Sequence, residues 1–462
     1  MLLTHDGDGS KIVNIKYLTI LFTRILILSC LVRSQDKLID TDLEYPVYKP
    51  LSTDRIISRK NYVDQLQGFW LGQCIANWTG LITEMDKIEH PFYTDADWKG
   101  SDQPNIWGNY VPSSNNIIDY YFIDKGGVWS ADDDTDIEYM YQYLLDHHNV
   151  SILSPDQIRE GWLNHIYSNE NAPNSENFLW VSNESAYYLM KEGLVPPFTS
   201  EPENNSNYTM IDAQLTTEIF GLLSPARPDI ALQMAHLPIR TTAKYDAEWI
   251  SEFYVTMHSL ASAVDDSLLI EKKIVWLAKE ARKRLPDSAY SAKMYDFIEA
   301  SYKANPDKND WEKTRDEVYQ RYQKNSTDGY SYQQPFDAGI NFAASLISLF
   351  YGAGNLPRTI QIGTLAGWDS DNPTATWGGL LGFLLGKEGI KKVFNKSNFS
   401  DAYWIHRTRR NFPDHTPGME GEDTFQLMAR RGIYIIDRVV LEEMKGGVNL
   451  NKDVWYIPII KN

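Results

Sequence analysis

Cysteine and long apolar runs are both scarce in this chain of 462 residues, and each shortage narrows what the protein can be. The only cysteines are Cys30 and Cys74, so a disulfide framework of the kind that holds small secreted domains together is excluded. The apolar run from Trp377 to Leu385 is too short to cross a bilayer and is interpreted as a buried helix. The fold must therefore rest on its hydrophobic core, for which a 43% hydrophobic content is sufficient.

Basic residues are also fewer than acidic residues. The sequence has 44 Lys and Arg against 62 Asp and Glu, which gives a formal net charge of −18 and a pI near 5.0. Such a protein as a whole repels the anionic backbone of nucleic acids and anionic membrane surfaces. We therefore predict no nucleic-acid partner, and contact with a membrane only through the N-terminus.

The N-terminus resembles an export signal, because Lys11 and Lys16 precede an apolar stretch that reaches Val32. Arg24 interrupts that stretch, which leaves an anchor retained in the mature protein, or a buried first helix, as alternatives. The residues up to Cys30 also resemble a lipoprotein cleavage site, which would place a lipid on this cysteine. We expect an exported protein that is secreted, periplasmic or lipid-anchored.

Composition along the chain predicts three parts. Residues 1–35 are the signal peptide or N-terminal anchor, 36–61 form a polar, extended arm, and 62–462 form a single helical domain. Within the domain, two stretches rich in Asn, Asp, Ser, Gly and Pro predict long loops, at 92–130 and 168–209.

Helical periodicity dominates the domain, and alternating strand patterns are scarce. Two segments carry small residues four apart, which would let two helices approach closely. These small residues are Gly68, Gly72 and Ala76 in the first segment and Gly378, Gly382 and Gly386 in the second.

Two acidic clusters, far apart in the sequence, each precede a segment with helical character. The clusters are Asp132-Asp133-Asp134-Thr135 and Asp369-Ser370-Asp371-Asn372. Aspartates cap helices, but this many exceed what capping can use, and like charges repel unless cations neutralise them. Oxygen ligands without His or Cys favour Mg²⁺, with Mn²⁺ and Ca²⁺ as alternatives. Asn372 is equally well explained as the cap of a helix that begins at Pro373.

These motifs resemble those of the ADP-ribosylglycohydrolases, including the ADP-ribosyl-dinitrogen reductase hydrolases, of which this chain would be a divergent, exported member. The matching segments are Gly68-Phe69-Trp70-Leu71-Gly72 leading to Glu84, then Asp132-Asp133-Asp134-Thr135, then Gly367-Trp368-Asp369-Ser370-Asp371-Asn372 before Gly378-Gly379. Residues 211–262 resemble the middle of the family. The resemblance implies an all-α, orthogonal helical bundle, here with loop-rich insertions.

The resemblance also implies a function and a site. It implies a metal-dependent glycoside hydrolase that cleaves a glycosidic bond at a ribose, with two Mg²⁺ ions between the motifs. Its metal ligands would be Asp132, Asp133, Asp134, Asp369, Asp371 and Asn372. Its catalytic residues would be Glu84 and Asp134. Several positions depart from the family pattern, among them Gln73, which stands where the family usually has Asp.

Because of these departures and the expected export, the family's substrate is not assumed. We expect a small-molecule or glycan substrate with a ribose-like sugar. The alternatives are a secreted glycosidase that acts on a furanoside or another glycan, and a non-catalytic protein that binds a sugar or nucleotide. Four loop tryptophans are candidate sugar-stacking platforms, or else packed cover for the core: Trp98, Trp107, Trp129 and Trp180.

Overall fold

A computed structural model describes most of the chain. The described residues are 38–111, 116–172, 179–265, 267–405, 408, 410–412 and 423–459, and for Asp134 the backbone alone is described. The predicted signal peptide or anchor and the lipidation of Cys30 lie outside these residues. The described residues from Asp42 onward form one compact unit.

Helices account for 55% of the described residues, so the predicted all-α class is confirmed. The α-helices are α1 (Arg59–Gly80), α2 (Asp133–His148), α3 (Pro155–His165), α4 (Val181–Lys191), α5 (Asp212–Leu215), α6 (Ile219–Leu222), α7 (Pro228–Thr242), α8 (Asp246–Ala261), α9 (Ile270–Arg282), α10 (Tyr290–Ala304), α11 (Glu312–Val318), α12 (Ala338–Gly352), α13 (Leu356–Leu365), α14 (Asp371–Val393) and α15 (Phe425–Glu442). Short helical turns occupy Leu81–Thr83, Asp95–Asp97, Phe198–Ser200, Tyr319–Lys324 and Thr327–Gly329.

Helices α1 and α14 pack against each other through the two rows of small residues, each of which predicts a close helix approach. A Cβ atom placed on Gly72 would lie 2.2 Å from the carbonyl oxygen of Gly378, and one on Gly68 would lie 2.2 Å from that of Gly382. The apolar run that begins at Trp377 lies in α14 and is largely buried. No helix among the described residues is both long and apolar enough to span a membrane.

Short strands, which the sequence analysis did not identify, join the two ends of the compact unit. They are β1 (Arg55–Ser58), β2 (Ala402–Tyr403), β3 (Asp423–Thr424), β4 (Gly447–Asn449) and β5 (Val454–Ile457). Strand β5 lies between β1 and β4, and both pairings are antiparallel, with Arg55 opposite Ile457. Strands β2 and β3 form a second, two-stranded sheet. Strands of two to four residues are too short to show an alternating pattern.

The two loop-rich stretches differ from each other. Residues 92–130 contain only the turn Asp95–Asp97 and isolated bridges among their described residues. Arg358 of α13 holds this turn with two hydrogen bonds to the Asp95 carboxylate, of 2.6 and 2.7 Å. The stretch 168–209 is less irregular than predicted, because it contains helix α4. Residues from both stretches reach the pocket described next.

Candidate active site

A pocket with a volume of about 560 Å³ brings the two acidic motifs together. Of the predicted site residues, those that line it are Glu84, Asp132, Asp133, Asp369, Asp371 and Asn372. The side chain of Asp134 lies outside the described part of the molecule, so its predicted metal and catalytic roles stay predictions. The convergence places carboxylates that are distant in the sequence in one site.

Two helix N-termini carry the motifs into this pocket. Asp132 caps α2, and its carboxylate accepts a hydrogen bond of 2.8 Å from the backbone N–H of Asp133. At the other motif, Asp371 is the first residue of α14. Free backbone N–H groups at both helix starts complement the negative charge of the aspartates.

The predicted helix start at Pro373, with Asn372 as its cap, is wrong. Helix α14 begins two residues earlier, at Asp371, and no side chain caps it. The side-chain amide of Asn372 instead donates a 2.7 Å hydrogen bond to Oδ2 of Asp369. Proline is tolerated in the first helical turn because N–H groups there have no intrahelical partner. Asn372 is therefore free to present its amide oxygen to the pocket.

Three carboxylates come closest together. One oxygen each of Glu84, Asp369 and Asp371 lies within 4.8 Å of the other two, a spacing suited to a shared metal ion. Asp369 and Asp371 are 4% and 1% exposed. Such a group of buried carboxylates is unstable unless protons or cations neutralise it.

The segment with Glu84 is fixed directly against the second motif. The backbone N–H of Met85 donates a 2.9 Å hydrogen bond to the carbonyl of Trp368, and the Ser370 hydroxyl donates one of 2.9 Å to the carbonyl of Gly80. The end of α1 touches the start of α14 here, since a Cβ atom on Gly80 would lie 2.4 Å from the Cα of Asp371. The glycine-lined contact between these helices thus positions Glu84.

Burial and mutual repulsion shift the ionisation of the second motif. Burial, opposed by the hydrogen bond from Asn372 and aided by the charges of Asp212 and Asp132, raises the pKa of Asp369 to about 7. Burial and the charges of nearby carboxylates, Glu84 foremost, raise the pKa of Asp371 well above its usual range. A bound cation would counter both shifts, because it favours the ionised form.

Unpartnered oxygen atoms at the same place fit a metal. Oδ1 of Asp371 and Oδ1 of Asn372 are buried without a hydrogen-bond partner. Buried polar atoms are rarely left unpaired in folded proteins, and an ion is one explanation for those that are. Carboxylate and amide oxygens are the donors that Mg²⁺, Mn²⁺ and Ca²⁺ prefer. The residues present therefore fit the predicted cation site.

Asn77 links the two motifs, although its sequence context does not predict this role. This residue of α1 is fully buried. Its Nδ2 donates a 3.0 Å hydrogen bond to Oδ2 of Asp371, and its Oδ1 accepts one of 3.2 Å from the N–H of Asp132. The one available signal was a polar residue next to Ile75-Ala76 on an otherwise apolar stretch of helix.

Two further residues near the first motif were also missed as site residues. Nδ2 of Asn183 donates a 3.1 Å hydrogen bond to Oδ2 of Asp133. The backbone N–H of Asn183 and the hydroxyl of Ser182 both donate to the carboxylate of Asp212, which lines the pocket. Burial raises the pKa of Asp212. Helix α4 and the start of α5 thus complete the acidic wall.

The four candidate tryptophans divide into two pairs. Trp107 and Trp180 line the pocket. Trp129 is fully buried and donates a 3.2 Å hydrogen bond to the carbonyl of Ser400, so it is core. Trp98 packs edge-on against Tyr120 at 4.9 Å between ring centroids and is not among the residues that line the pocket. Of the two alternatives, packed cover is therefore the one that fits Trp98 and Trp129.

Gln73, which departs from the family pattern, does not line the pocket. Its side-chain amide donates a 2.7 Å hydrogen bond to Oε2 of Glu138. Glu138 and Glu218 form a fully buried carboxyl pair beside it, and Oε1 of Glu138 accepts a 2.7 Å bond from the N–H of Ile219. Gln73 therefore belongs to this buried hydrogen-bond network and not to the pocket.

Comparison with known proteins agrees with these motifs. The family model described as ADP-ribosylglycohydrolase matches residues 58–419, and the chain belongs to this family, whose members hydrolyse glycosidic bonds and are typically metal-dependent. A solved structure described as "ADP-ribosylglycohydrolase-related protein complex" is similar at 13% identity and a TM-score of 0.48, over 82% of this chain and 99% of that chain. No curated protein matched.

Proposed function

We propose that the protein is a Mg²⁺-dependent hydrolase that cleaves the glycosidic bond of a ribose-like sugar, with two ions held between its two aspartate motifs. The observation that carries this proposal is the convergence of Asp369 and Asp371 with Asp132 and Asp133 in one pocket, where an oxygen of Glu84 also lies within 4.8 Å of oxygens of Asp369 and Asp371. Mn²⁺ and Ca²⁺ remain alternatives, because the same oxygen donors accept them.

The proposed ligands are the aspartates of both motifs together with the amide oxygen of Asn372. When bound, the ions would supply Lewis acidity for a water molecule and for the sugar hydroxyl groups. Asn77 holds Asp371 and the backbone of Asp132 from one side, and Asn183 holds Asp133 from the other. These amides keep the carboxylates oriented without adding charge.

Glu84 is the residue we assign to proton transfer. It lies on the turn after α1 and faces the pocket next to the second motif. In hydrolysis, an oxygen of water bonds to the anomeric carbon, the bond to the leaving group breaks, and the leaving group gains a proton. A carboxylate at this position can accept the proton of the water and return one to the leaving group. Asp134 remains a second candidate for this role.

We also propose a location and partners for the protein. It is exported, associates with a membrane only through an N-terminal anchor or a lipid on Cys30, and has no nucleic-acid partner. The acidic composition supports the absence of a nucleic-acid partner. A glycosidase on a furanoside or other glycan would use the same site. A purely sugar- or nucleotide-binding protein would have no need of so many buried carboxylates.

Calorimetric titration with Mg²⁺ and a hydrolysis assay test the proposal together. The native protein should bind two ions per chain and release a sugar from ribosyl substrates. Asp371→Ala should lose turnover and at least one ion, whereas Asp287→Ala, a change at a carboxylate that is 94% exposed, should retain both. Metal-independent turnover, or full ion binding by Asp371→Ala, would refute the proposed site.

A further inference from the structure

Two exposed tryptophan rings stack against each other in the lining of the acidic pocket. Trp107 and Trp180 are 49% and 46% exposed, and their ring centroids lie 6.0 Å apart with an angle of 29° between the planes. Both line the pocket. Neighbouring large apolar side chains left open to water typically mark a binding surface, and an indole face suits a flat ring or the C–H face of a sugar.

Both rings have a fixed backbone position relative to the carboxylates. Buried Asn105 accepts hydrogen bonds from the N–H groups of Trp107, at 3.1 Å, and of Asn109, at 3.0 Å. The N–H of Ile106 donates one of 3.0 Å to the carbonyl of Met85, directly after Glu84. Trp180 stands at the start of α4, so its ring is also attached to a rigid element.

Apolar side chains line the same pocket as the tryptophans and the carboxylates. These side chains are Leu81, Met85, Val111, Ile211, Leu215 and Phe336. The pocket thus combines carboxylates suited to a polyhydroxylated sugar with apolar and aromatic side chains suited to an uncharged ring. This combination predicts two different parts in the ligand.

The negative charge of the pocket lining disfavours a phosphorylated ligand. None of the described residues that line the pocket is Lys, Arg or His, whereas six are acidic: Glu84, Asp132, Asp133, Asp212, Asp369 and Asp371. The sequences of 112–115 and 173–178, which adjoin lining residues, contain no cationic residue either. Two divalent ions carry four positive charges and would leave this lining negative. Phosphates are normally bound by Arg, Lys or helix N-termini; no cationic side chain lines this pocket, and the two helix N-termini that reach it already carry aspartates, so a diphosphate would gain little here.

We infer that the substrate is an uncharged glycoside, in which a sugar lies at the carboxylates and a flat ring, either an aromatic leaving group or an adjacent sugar, stacks on Trp107 and Trp180. This inference rests on the proposed glycosidase function. It assigns the tryptophan pair to substrate recognition and excludes ADP-ribose and its protein conjugates as preferred substrates.

The test compares kcat/KM of the full chain in Mg²⁺ for neutral and diphosphate substrates. The neutral set is an aryl ribofuranoside, a ribonucleoside and a pentose disaccharide, and the diphosphate set is ADP-ribosyl-serine and ADP-ribosyl-arginine peptides. At least one neutral substrate should be preferred by roughly ten-fold or more. Trp107→Ala and Trp180→Ala should each lower kcat/KM for it by about ten-fold, because stacking on one aromatic ring is typically worth that much.

Methyl ribofuranoside and Trp98→Ala serve as controls. Methyl ribofuranoside lacks the second ring, so its kcat/KM should be unaffected by either pocket substitution. Trp98→Ala removes a half-buried indole outside the pocket lining and should not change kcat/KM for any substrate. Circular dichroism verifies that each variant is folded. The preferred neutral substrate then identifies the ring as a leaving group or as a second sugar.

Binding distinguishes failure of this inference from failure of the proposed function. Tryptophan fluorescence of Glu84→Gln should respond to the neutral ligand and not to ADP-ribose, and Trp107→Ala with Trp180→Ala should reduce the response. Turnover that favours the diphosphate substrates, or is insensitive to both tryptophans, would overturn the inference and leave the proposed function standing. Absence of turnover of every substrate would overturn the proposed function, and fluorescence would still decide whether the pair binds an uncharged ring.

Discussion

Glu218→Gln should make the folded protein more stable at alkaline pH. Glu218 is 1% exposed, and burial is the main cause that raises its pKa from 4.5 to about 7. Its Oε1 accepts a 2.7 Å hydrogen bond from Thr376, and its Oε2 is buried without a partner. The neighbouring Glu138 has a pKa raised well above the usual range by burial and by the charge of Glu218. Both carboxyl groups thus favour the protonated form in the folded state.

The direction in which stability changes with pH follows from proton linkage. Between pH 4.5 and about 7, the folded chain keeps a proton on Glu218 that the unfolded chain has released, so stability falls as pH rises through this window. This loss of stability is complete at pH values above the pKa of Glu218 in the folded protein. The rise of the Glu218 pKa from 4.5 to about 7, at ~1.4 kcal/mol per pH unit, makes this loss ~3 kcal/mol. Glutamine has nearly the same shape and cannot ionise, so the variant avoids the loss.

Urea unfolding at pH 5, 6.5 and 8, in EDTA to exclude metal effects, measures this difference. The variant should gain ~3 kcal/mol relative to the native protein at pH 8 and little at pH 5. Glu203→Gln is the matched control, since this carboxylate is exposed and its removal should leave the pH profile unchanged. Parallel stability profiles for Glu218→Gln and the native protein would show that Glu218 ionises normally and would refute the reasoning.

Three further predictions concern the site and the helix contact that positions it. Asp371→Ala should abolish turnover but keep the helical circular dichroism signal, because no side-chain cap of α14 is lost; loss of helix would contradict this. Glu84→Gln should lower kcat by about 10² to 10⁴-fold with ion binding retained in calorimetry, and an unchanged kcat would exclude its proton role. Gly72→Ala should destabilise the fold by ~1–3 kcal/mol in urea unfolding, because its Cβ would lie 2.2 Å from the Gly378 carbonyl oxygen; equal stability would mean that the helices can separate.

Local patterns made much of the fold predictable. The rows of small residues around Gly72 and Gly378 are read directly from spacing, and they identify the two helices whose contact positions Glu84. The acidic clusters are also local patterns. Because carboxylates repel one another, two such clusters indicate a common cation site. Sequence could therefore predict the helical class and the residues of both motifs.

Long-range polar contacts could not be predicted in the same way. Asn77 and Asn183 have no periodic or motif context, and Asp212 lies in the stretch 211–262 that resembles the family without being marked as a site residue; the place of all three at the site depends on hydrogen bonds between separate helices. The strands at the two ends of the unit pair residues such as Arg55 and Ile457, about 400 positions apart. The start of α14 was misplaced because Asn372 and Pro373 form a good local cap signal, whereas the hydrogen bond from Asn372 to Asp369 prevails.

The central claim is that the two aspartate motifs hold a pair of divalent ions, and anomalous diffraction from crystals soaked in Mn²⁺ tests it most directly. Two peaks roughly 3.5–4 Å apart are expected, with Asp371 and Asp369 on one side and Asp132 and Asp133 on the other. Crystals of Asp371→Ala should lose at least one peak. A pocket without an anomalous peak at saturating Mn²⁺, or peaks only at other acidic groups on the surface, would contradict the claim.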